Sequence, residues 1–225
     1  MELTTQLDRG SSNRLTPQMA RRFAGDSLFE RVARAVCRAG CLPRKEIYEA
    51  WEVARRVRRR FRGGRVIDLA CGHGLLAHLL LILDDSSEHA LAVDRKLPAS
   101  AGKLSEALTQ DWPRLQDRIQ FLATDLTTLE LQSGDLVVSV HACGKLTDLV
   151  LARAAAARAR VAVLPCCHRL DGADLGGLEG WLDGALALDV TRAARLRSQG
   201  YRVWTQTIPA DITPQNRLLL GEPVG

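Results

Sequence analysis

The sequence predicts an α/β fold, a Rossmann-like, seven-stranded and mostly parallel sheet with helices on both faces, and three observations lead to this prediction. Short apolar runs alternate with helical segments along most of the 225-residue chain. A turn that contains Gly72 and Gly74 follows the first of these runs, and a loop instead of a helix joins the last two. Because alternating strands and helices build a parallel sheet covered on both faces, we expect this architecture, closed by a terminal antiparallel hairpin.

The segments follow one another in a regular order. Apolar runs of strand type occur at 65–71, 90–94, 118–125, 135–140, 159–165, 201–208 and 216–223. Apolar residues spaced three and four positions apart predict helices over 75–83, 100–112, 146–159 and roughly 174–199. The first five runs thus form repeated strand–helix units, and the hairpin follows them.

Two more helices are predicted before the sheet, over 27–40 and 44–62. Gly40 is expected to end the first, and Pro43 stands where the second begins. We therefore divide the chain into a flexible N-terminus (1–20), a basic helical extension packed on the core (21–62) and the α/β domain (63–225). The second helix carries one apolar stripe, formed by Ile47, Trp51, Ala54, Val57 and Phe61.

Positive charge is concentrated in this N-terminal part. Residues 21–65 contain fourteen basic and five acidic residues, a local charge of +9, whereas the whole chain carries +5. One interpretation is that the arginines form the solvated face of packed helices. The other is a surface for a polyanion, because arginines contact phosphates. In that case the partner is an RNA, bound through the arginine-rich segment 55–65.

The composition bears on the cellular compartment. Hydrophobic residues make up 46% of the chain, which excludes disorder as its main state. The longest apolar run, 75–83, is interrupted by His78 and is too short to cross a bilayer, and the polar segment 1–14 lacks the apolar core of a secretory signal. The six cysteines do not follow the pattern of a disulfide framework. We expect a cytoplasmic protein that makes no membrane contact.

The turn after the first strand indicates the class of cofactor. The segment 72–77 (GHGLLA) follows a strand and opens a helix, and Asp94 lies twenty residues beyond its second glycine, so it also fits the dinucleotide-binding fingerprint. Three features favour a methyl donor instead. Asp68 interrupts the end of the first strand, Asp125 ends the third, and the chain closes with a hairpin and not with a sixth strand–helix unit.

These residues resemble the class I S-adenosylmethionine-dependent methyltransferases, and the resemblance covers about residues 65–225. In that family the loop reads acid-x-G-x-G-x-G. Here Ala70 replaces the first glycine, which is compatible with the motif where the φ of Ala70 is negative. The resemblance implies S-adenosyl-L-methionine as cofactor, with Asp68 facing its methionine part, Asp94 its ribose and Asp125 its adenine. The full set implied to bind the cofactor is Asp68, Ala70, Cys71, Gly72, Gly74, Asp94, Arg95, Asp125, Leu126 and His141.

Two segments at later strand ends narrow the resemblance. The fourth strand runs into HACGKLTD (141–148) and the fifth into PCCH (165–168). This pair of motifs looks like one branch of methyltransferase-like proteins. The branch includes the eukaryotic acceptor-stem tRNA 2′-O-methyltransferase and the glutathione S-transferase C-terminal-domain-containing protein. The chain lacks the separate zinc-binding modules expected of the tRNA enzyme, so the resemblance does not transfer that substrate.

Histidines and cysteines at these strand ends are candidates for the acceptor chemistry, because ligands bind beyond the carboxyl ends of parallel strands. A hydroxyl acceptor needs a base, and an imidazole titrates near neutral pH, so His141 is the first candidate and His168 the second. An alternative is methylation of a pyrimidine carbon after attack by Cys166. Zinc binding is a further alternative, but Cys166 and Cys167 are adjacent and no C-x-x-C occurs, so we expect no metal.

The predicted function is methylation of RNA, at a ribose hydroxyl in preference to a base. No D/N-P-P-Y/F/W segment of the kind associated with base amines occurs. A small-molecule or protein methyltransferase stays open, in which the arginine helices only cap the fold. A non-catalytic module that keeps the S-adenosylmethionine pocket also stays open.

Overall fold

The computed structural model describes residues 7–165 and 167–225, and its centre is one seven-stranded sheet. The strands are β1 Val66–Leu69, β2 Ala90–Asp94, β3 Ile119–Ala123, β4 Leu136–Ser139, β5 Arg160–Val163, β6 Tyr201–Thr207 and β7 Arg217–Pro223. Their order across the sheet is β3-β2-β1-β4-β5-β7-β6. Strands β1 to β5 pair in parallel, and β7 runs antiparallel to β5 and β6. The predicted fold class and terminal hairpin are confirmed.

Helices cover both faces of this sheet. They are α1 Leu28–Ala39, α2 Arg44–Arg60, α3 Leu75–Leu83, α4 Ala101–Asp111, α5 Lys145–Ala156 and α6 Gly184–Ser198, with short 3-10 helices at Pro17–Arg22 and Pro113–Leu115. The helix predicted from residue 174 begins only at Gly184. Asp183 caps it there by accepting a hydrogen bond from the N–H of Leu186 at 3.0 Å. Upstream, Gly172 and Gly176 have positive φ, which breaks helical continuity.

Local signals explain the boundaries of the first two helices. Ser27 caps the start of α1: its hydroxyl oxygen accepts a hydrogen bond from the N–H of Glu30, and the hydroxyl donates to the Glu30 carboxylate at 2.7 Å. Gly40 ends α1 with φ +62, a left-handed conformation that glycine adopts without strain. Pro43 precedes the first residue of α2, where a missing N–H costs nothing.

The core has one layer on each face of the sheet. Alternate residues of β1 point to opposite faces, so Val66 packs with α1 to α4 while Ile67 and Leu69 pack with α5 and α6. Asp68 has the same parity as Val66 and therefore faces α3. The four residues of β1 are all buried, as expected for a central parallel strand.

The N-terminal segment was expected to be flexible over residues 1–20, of which 7–20 are described. Leu15 is completely buried, its N–H donates to the carbonyl of Leu42 at 2.9 Å, and Arg14 forms a β-bridge with Pro43. Arg9 also pairs with Asp211 at 3.1 Å. Residues 7–20 therefore pack against the helical extension, because the buried side chain of Leu15 holds this otherwise polar segment in place.

The extension itself lies on the α3/α4 side of the sheet. Helix α2 packs on α3, and α1 packs on α4. This arrangement places the N-terminal end of α2 beside the turn that joins β1 to α3. Among the described residues, no helix combines the length and apolarity needed to span a membrane.

Candidate cofactor and acceptor site

The turn between β1 and α3 is built from three residues with left-handed backbone. Ala70, Gly72 and Gly74 have φ of +57, +53 and +73. A Cβ added at Gly74 would lie 2.7 Å from a ring carbon of Phe121, so only glycine fits there. A Cβ at Gly72 would meet no atom within 4 Å, which leaves its backbone open to a ligand.

The backbone at Ala70 corrects the sequence analysis, which treated alanine as compatible with the loop motif at negative φ. The observed φ of +57 is in the region that favours glycine, and the alanine Cβ is strained there. The loop keeps the glycine-type conformation because the chain must turn sharply from β1 into α3. Ala70 therefore differs from the loop motif in residue type, while its backbone has a conformation that glycine adopts more easily.

Asp68 is a buried carboxylate at the base of this loop. One carboxylate oxygen, Oδ2, accepts a hydrogen bond from the N–H of Ala77 at 3.2 Å, whereas Oδ1 is buried without a partner among the described residues. Burial is the main cause that raises the pKa of Asp68 to about 8, and the nearby Asp94 adds to it. A buried oxygen without a donor fits a cationic group such as the ammonium of S-adenosylmethionine.

Asp94 ends β2 and holds the loop from the other side. Its Oδ2 accepts a hydrogen bond from the N–H of Gly72 at 3.0 Å, and its Oδ1 accepts one from the N–H of Lys96 at 3.3 Å. A carboxylate has about four acceptor positions, so both oxygens can also accept from ribose hydroxyls. The carboxylate is partly exposed, as a ligand-binding group must be.

Asp125 and Arg95 lie at the next strand ends and form an ion pair. The Nε of Arg95 donates to Asp125 Oδ2 at 3.1 Å, and Thr127 donates to Oδ1 from both its N–H and its hydroxyl. The hydrogen bonds from Thr127 are the main cause that lowers the pKa of Asp125. Leu126 beside it is buried. The structure thus brings the acids at the ends of β1, β2 and β3 to one edge of the sheet.

A small cavity joins the glycine turn to the end of β4. Cys71 and His73 from the turn and His141 after β4 line it, together with Glu46 from the first turn of α2. Burial lowers the pKa of His141, so its imidazole is neutral and able to accept a proton at neutral pH. Burial raises the pKa of the Cys71 thiol, which disfavours a nucleophilic role for this cysteine.

Glu46 is the member of this cavity that sequence analysis missed. The signal was present in its spacing, since Ala50 and Val53, four and seven residues further along α2, are both buried. The acid therefore continues the buried face of the helix. Burial, with the adjacent charge of Glu49, raises the pKa of Glu46 to about 7.

His168 lies in a different environment, between α6 and β7. Its Nε2 is 2.9 Å from both carboxylate oxygens of Asp189, which also accepts from Arg217 Nε at 2.7 Å. The buried Arg192 donates to Asp189 and, at 2.8 and 3.0 Å, to both oxygens of Asp148. This network joins the HACGKLTD and PCCH segments through α6. In the described part of the chain, these contacts hold His168 with α6 and β7 and not with the glycine turn.

The cysteines at the strand ends are only partly covered by the structure. Cys166 lies outside the described residues, so the prediction of a nucleophile there stays a prediction. Cys143 is exposed and Cys167 is half-buried. Within residues 7–165 and 167–225, no three His, Cys, Asp or Glu side chains are grouped as a metal site would require.

Most arginines of segment 55–65 are engaged within the molecule. Arg58 is buried and donates to the Leu80 carbonyl at 3.0 Å and to the Ser87 hydroxyl at 2.8 Å. Arg59 and Arg60 are exposed, and Arg60 lies over the Trp204 ring at 4.3 Å. Five of the seven arginines form ion pairs: Arg55 and Arg56 with Glu52, Arg58 and Arg62 with Asp84, and Arg65 with Asp135.

Solved structures share this fold. An O-methyltransferase family protein from Burkholderia thailandensis superposes with a TM-score of 0.55 at 19% identity, over 96% of this chain and 65% of that one. The B. subtilis tRNA methyltransferase TrmK gives 0.53 at 13% identity, over 76% and 65%. A chain of a fibrillarin/Nop5p complex gives 0.52 at 12% identity, over 79% and 84%. The chain thus spans just under two thirds of the first two proteins. No curated protein sequence matches it.

The sheet order, the acid-tipped strands and the glycine turn define the class of S-adenosylmethionine-dependent methyltransferase domains. A family model for the methyltransferase domain matches residues 44–170, which is more than half of the chain. The chain therefore belongs to this methyltransferase-domain family. The match includes α2, the helix that carries Glu46.

Proposed function

We propose that this domain transfers the methyl group of S-adenosylmethionine to a hydroxyl oxygen, and that the acceptor is an RNA ribose. The observation that carries the proposal is the convergence of two kinds of group at one edge of the sheet. Asp68 and Asp94 offer acceptors for a cationic, hydroxyl-bearing cofactor. His141 offers a neutral base next to the same turn.

The cofactor is held by residues with distinct tasks. Bound S-adenosylmethionine supplies a methyl group on a positively charged sulfur. The unpartnered oxygen of Asp68 accepts from its ammonium group, and the open backbone at Gly72 allows close approach. Asp94 accepts from the ribose hydroxyls, and Arg95, Asp125 and Leu126 border the adenine. Ala70, Cys71, Gly74 and His141 complete the proposed binding set.

The base is assigned to His141, with His168 as the second candidate. A hydroxyl is a weak nucleophile until its proton is taken up, and a positioned base contributes roughly 10²–10⁴-fold to such a step. His141 lines the cavity at the glycine turn, whereas His168 is occupied by Asp189. This difference in contacts supports the order of the two candidates.

The RNA part of the proposal depends on charge. Segment 21–65 carries a local +9, and Arg59 and Arg60 are exposed in it. Cationic side chains that displace counterions from phosphates give binding that weakens steeply with salt. We propose that the RNA contacts the protein along segment 55–65. The cytoplasmic location and the branch that includes the acceptor-stem tRNA 2′-O-methyltransferase belong to the same proposal.

A small-molecule or protein acceptor is the second candidate, and the ion pairs of segment 55–65 favour it. An arginine that neutralises Glu52, Asp84 or Asp135 has less charge to offer a phosphate. Under this alternative the extension only covers α3 and α4. The alternative keeps the same cofactor residues and the same base.

Transfer of labelled methyl from S-adenosylmethionine into deproteinised total RNA tests the proposal. We expect label in RNA that is lost in Asp68→Ala, and digestion to nucleosides should place it on ribose. If no label enters RNA while S-adenosylhomocysteine still raises the melting temperature, the RNA acceptor is wrong and the second candidate is favoured. No label and no effect of S-adenosylhomocysteine would contradict the proposed function altogether.

The RNA surface has a separate test. Arg59→Ala combined with Arg60→Ala removes two exposed cations, so the slope of log affinity against log salt should fall by about one to two. Arg197→Ala is a matched control, since it removes an exposed arginine of α6, outside the basic segment 21–65. An unchanged slope in the double variant would show that the segment is only a solvated helix face.

A further inference from the structure

The cavity at the start of α2 contains a carboxyl group that the proposed reaction has not yet used. Glu46, His73 and His141 line this cavity, which has room for about one water molecule. The first comes from the extension, the second from the glycine turn and the third from the end of β4. Three separate parts of the chain thus place ionisable groups around one cavity, and one of these groups is His141, the proposed base.

Glu46 has no cation of its own. The nearest candidate, Lys45, pairs instead with Glu49 at 3.4 Å. No ion pair of Glu46 occurs among the described residues. A half-buried carboxylate without a cation is unfavourable, so the group either holds a proton or is compensated by a positive charge that arises near it. Such a charge arises if the neighbouring imidazole becomes protonated.

His141 is the imidazole that is available for this change. His73 is held by a hydrogen bond between its Nε2 and the Ser100 hydroxyl at 2.9 Å. Methyl transfer to a hydroxyl releases one proton. A bond from the acceptor oxygen to the methyl carbon would replace the bond from that carbon to sulfur, the acceptor O–H bond would break, and its proton would form an N–H bond on His141, which becomes an imidazolium. A buried imidazolium needs a compensating charge.

We propose that Glu46 is a positioning residue for His141. The carboxylate of Glu46 stabilises the imidazolium that forms when His141 takes the proton of the acceptor. This inference rests on the proposed function. The pKa of Glu46, raised by burial to about 7, allows its ionisation to respond to the charge on His141. The other ionisable groups around the pair are Arg14, Cys41, Lys45, Glu49, Cys71, His73 and Asp94.

Titration of His141 by NMR in the cofactor-free protein tests this role. In Glu46→Gln, which keeps the size of the side chain, the pKa of His141 should fall by more than about 0.3 units, because a carboxyl group that lines the same cavity can no longer ionise. Glu46→Asp should restore part of this shift. Glu52→Gln is the matched control, because it removes a buried carboxyl of α2 that pairs with Arg55 and Arg56, and should move the pKa of His141 by less than about 0.2 units.

The activity profile gives a second readout. In Glu46→Gln the pH below which the methyl-transfer rate declines should shift downward, in parallel with the pKa of His141. The maximal rate, reached at higher pH, should also be lower than in wild type. An equal pKa of His141 in wild type and Glu46→Gln would overturn the role of Glu46. The titration needs no cofactor, so it distinguishes this failure from failure of the proposed function, which would leave the coupling intact while no methyl group is transferred.

Discussion

Asp68 should destabilise the folded protein when the cofactor is absent and should strengthen binding of the cofactor. The variant Asp68→Asn allows the effect on stability and the effect on binding to be measured separately. The pKa of Asp68 rises from 3.8 to about 8 on folding, chiefly through burial. Between these values the folded chain holds a proton that the unfolded chain has released. The unfolding free energy therefore falls as pH rises, by about 1.4 kcal/mol per pH unit.

Asparagine removes this penalty without changing the shape of the side chain. Its amide oxygen can still accept from the N–H of Ala77. The variant and the wild type should differ little in stability near pH 4, where the carboxyl is neutral in the folded chain and only about half ionised in the unfolded chain. By pH 7 the variant should be more stable by about 4 kcal/mol, which is about three pH units at 1.4 kcal/mol each.

Urea unfolding of both proteins at several pH values from 4 to 8 measures this difference. Calorimetry on the same samples should show that Asp68→Asn binds S-adenosylhomocysteine about tenfold or more weakly, because a charge-assisted hydrogen bond to the ammonium is lost. Parallel pH dependence in the two proteins would refute the assignment of a buried, proton-holding Asp68. Equal affinity would refute its contact with the cofactor.

Three other predictions concern the turn, the base and the extension. Ala70→Gly should raise the unfolding free energy by about 0.5–1 kcal/mol, because relief of left-handed strain exceeds the added chain entropy; a loss of stability in urea unfolding would contradict the strain. His141→Asn should lower the rate of methyl transfer by roughly 10²-fold or more, and because burial lowers the pKa of His141, the wild-type rate should fall only at a pH more acidic than an ordinary imidazole would give. A variant as fast as wild type would exclude His141 as the base. Arg58→Ala should cost about 3 kcal/mol, since it removes a buried guanidinium that pairs with Asp84 and donates to the Leu80 carbonyl and the Ser87 hydroxyl, and a melting temperature within a degree of wild type would refute this.

The fold and the glycine turn between β1 and α3 were predictable because their signals are local. Apolar runs and helical spacing identify strands and helices, and the order of Asp68, Gly72, Gly74 and Asp94 follows from where parallel strands end. The start of α6 was less accessible to prediction. The apolar spacing from residue 174 onward resembles a helix, and only the cap at Asp183 and the upstream glycines set the boundary.

The acceptor side of the site depends on long-range packing, which the sequence does not express in a motif. Glu46 lines the cavity because α2 packs on α3. His168 forms a hydrogen bond with Asp189 because α6 places that carboxylate beside it. For segment 55–65 the sequence left open a solvated helix face or a surface for a polyanion. It does not indicate the ion pairs with Asp84 and Asp135, which lie beyond the segment in the chain. Such pairings appear only when the fold is known.

Calorimetric titration with S-adenosylhomocysteine is the most direct test of the central claim that this turn binds the cofactor. Wild type and the control Asp26→Ala, which lacks an exposed carboxylate remote from the turn, should bind with equal affinity. Asp94→Ala should bind at least tenfold more weakly, because hydrogen bonds to the ribose hydroxyls are lost, about 1.4 kcal/mol or more. Equal affinity of Asp94→Ala and wild type, or no binding by wild type, would contradict the account.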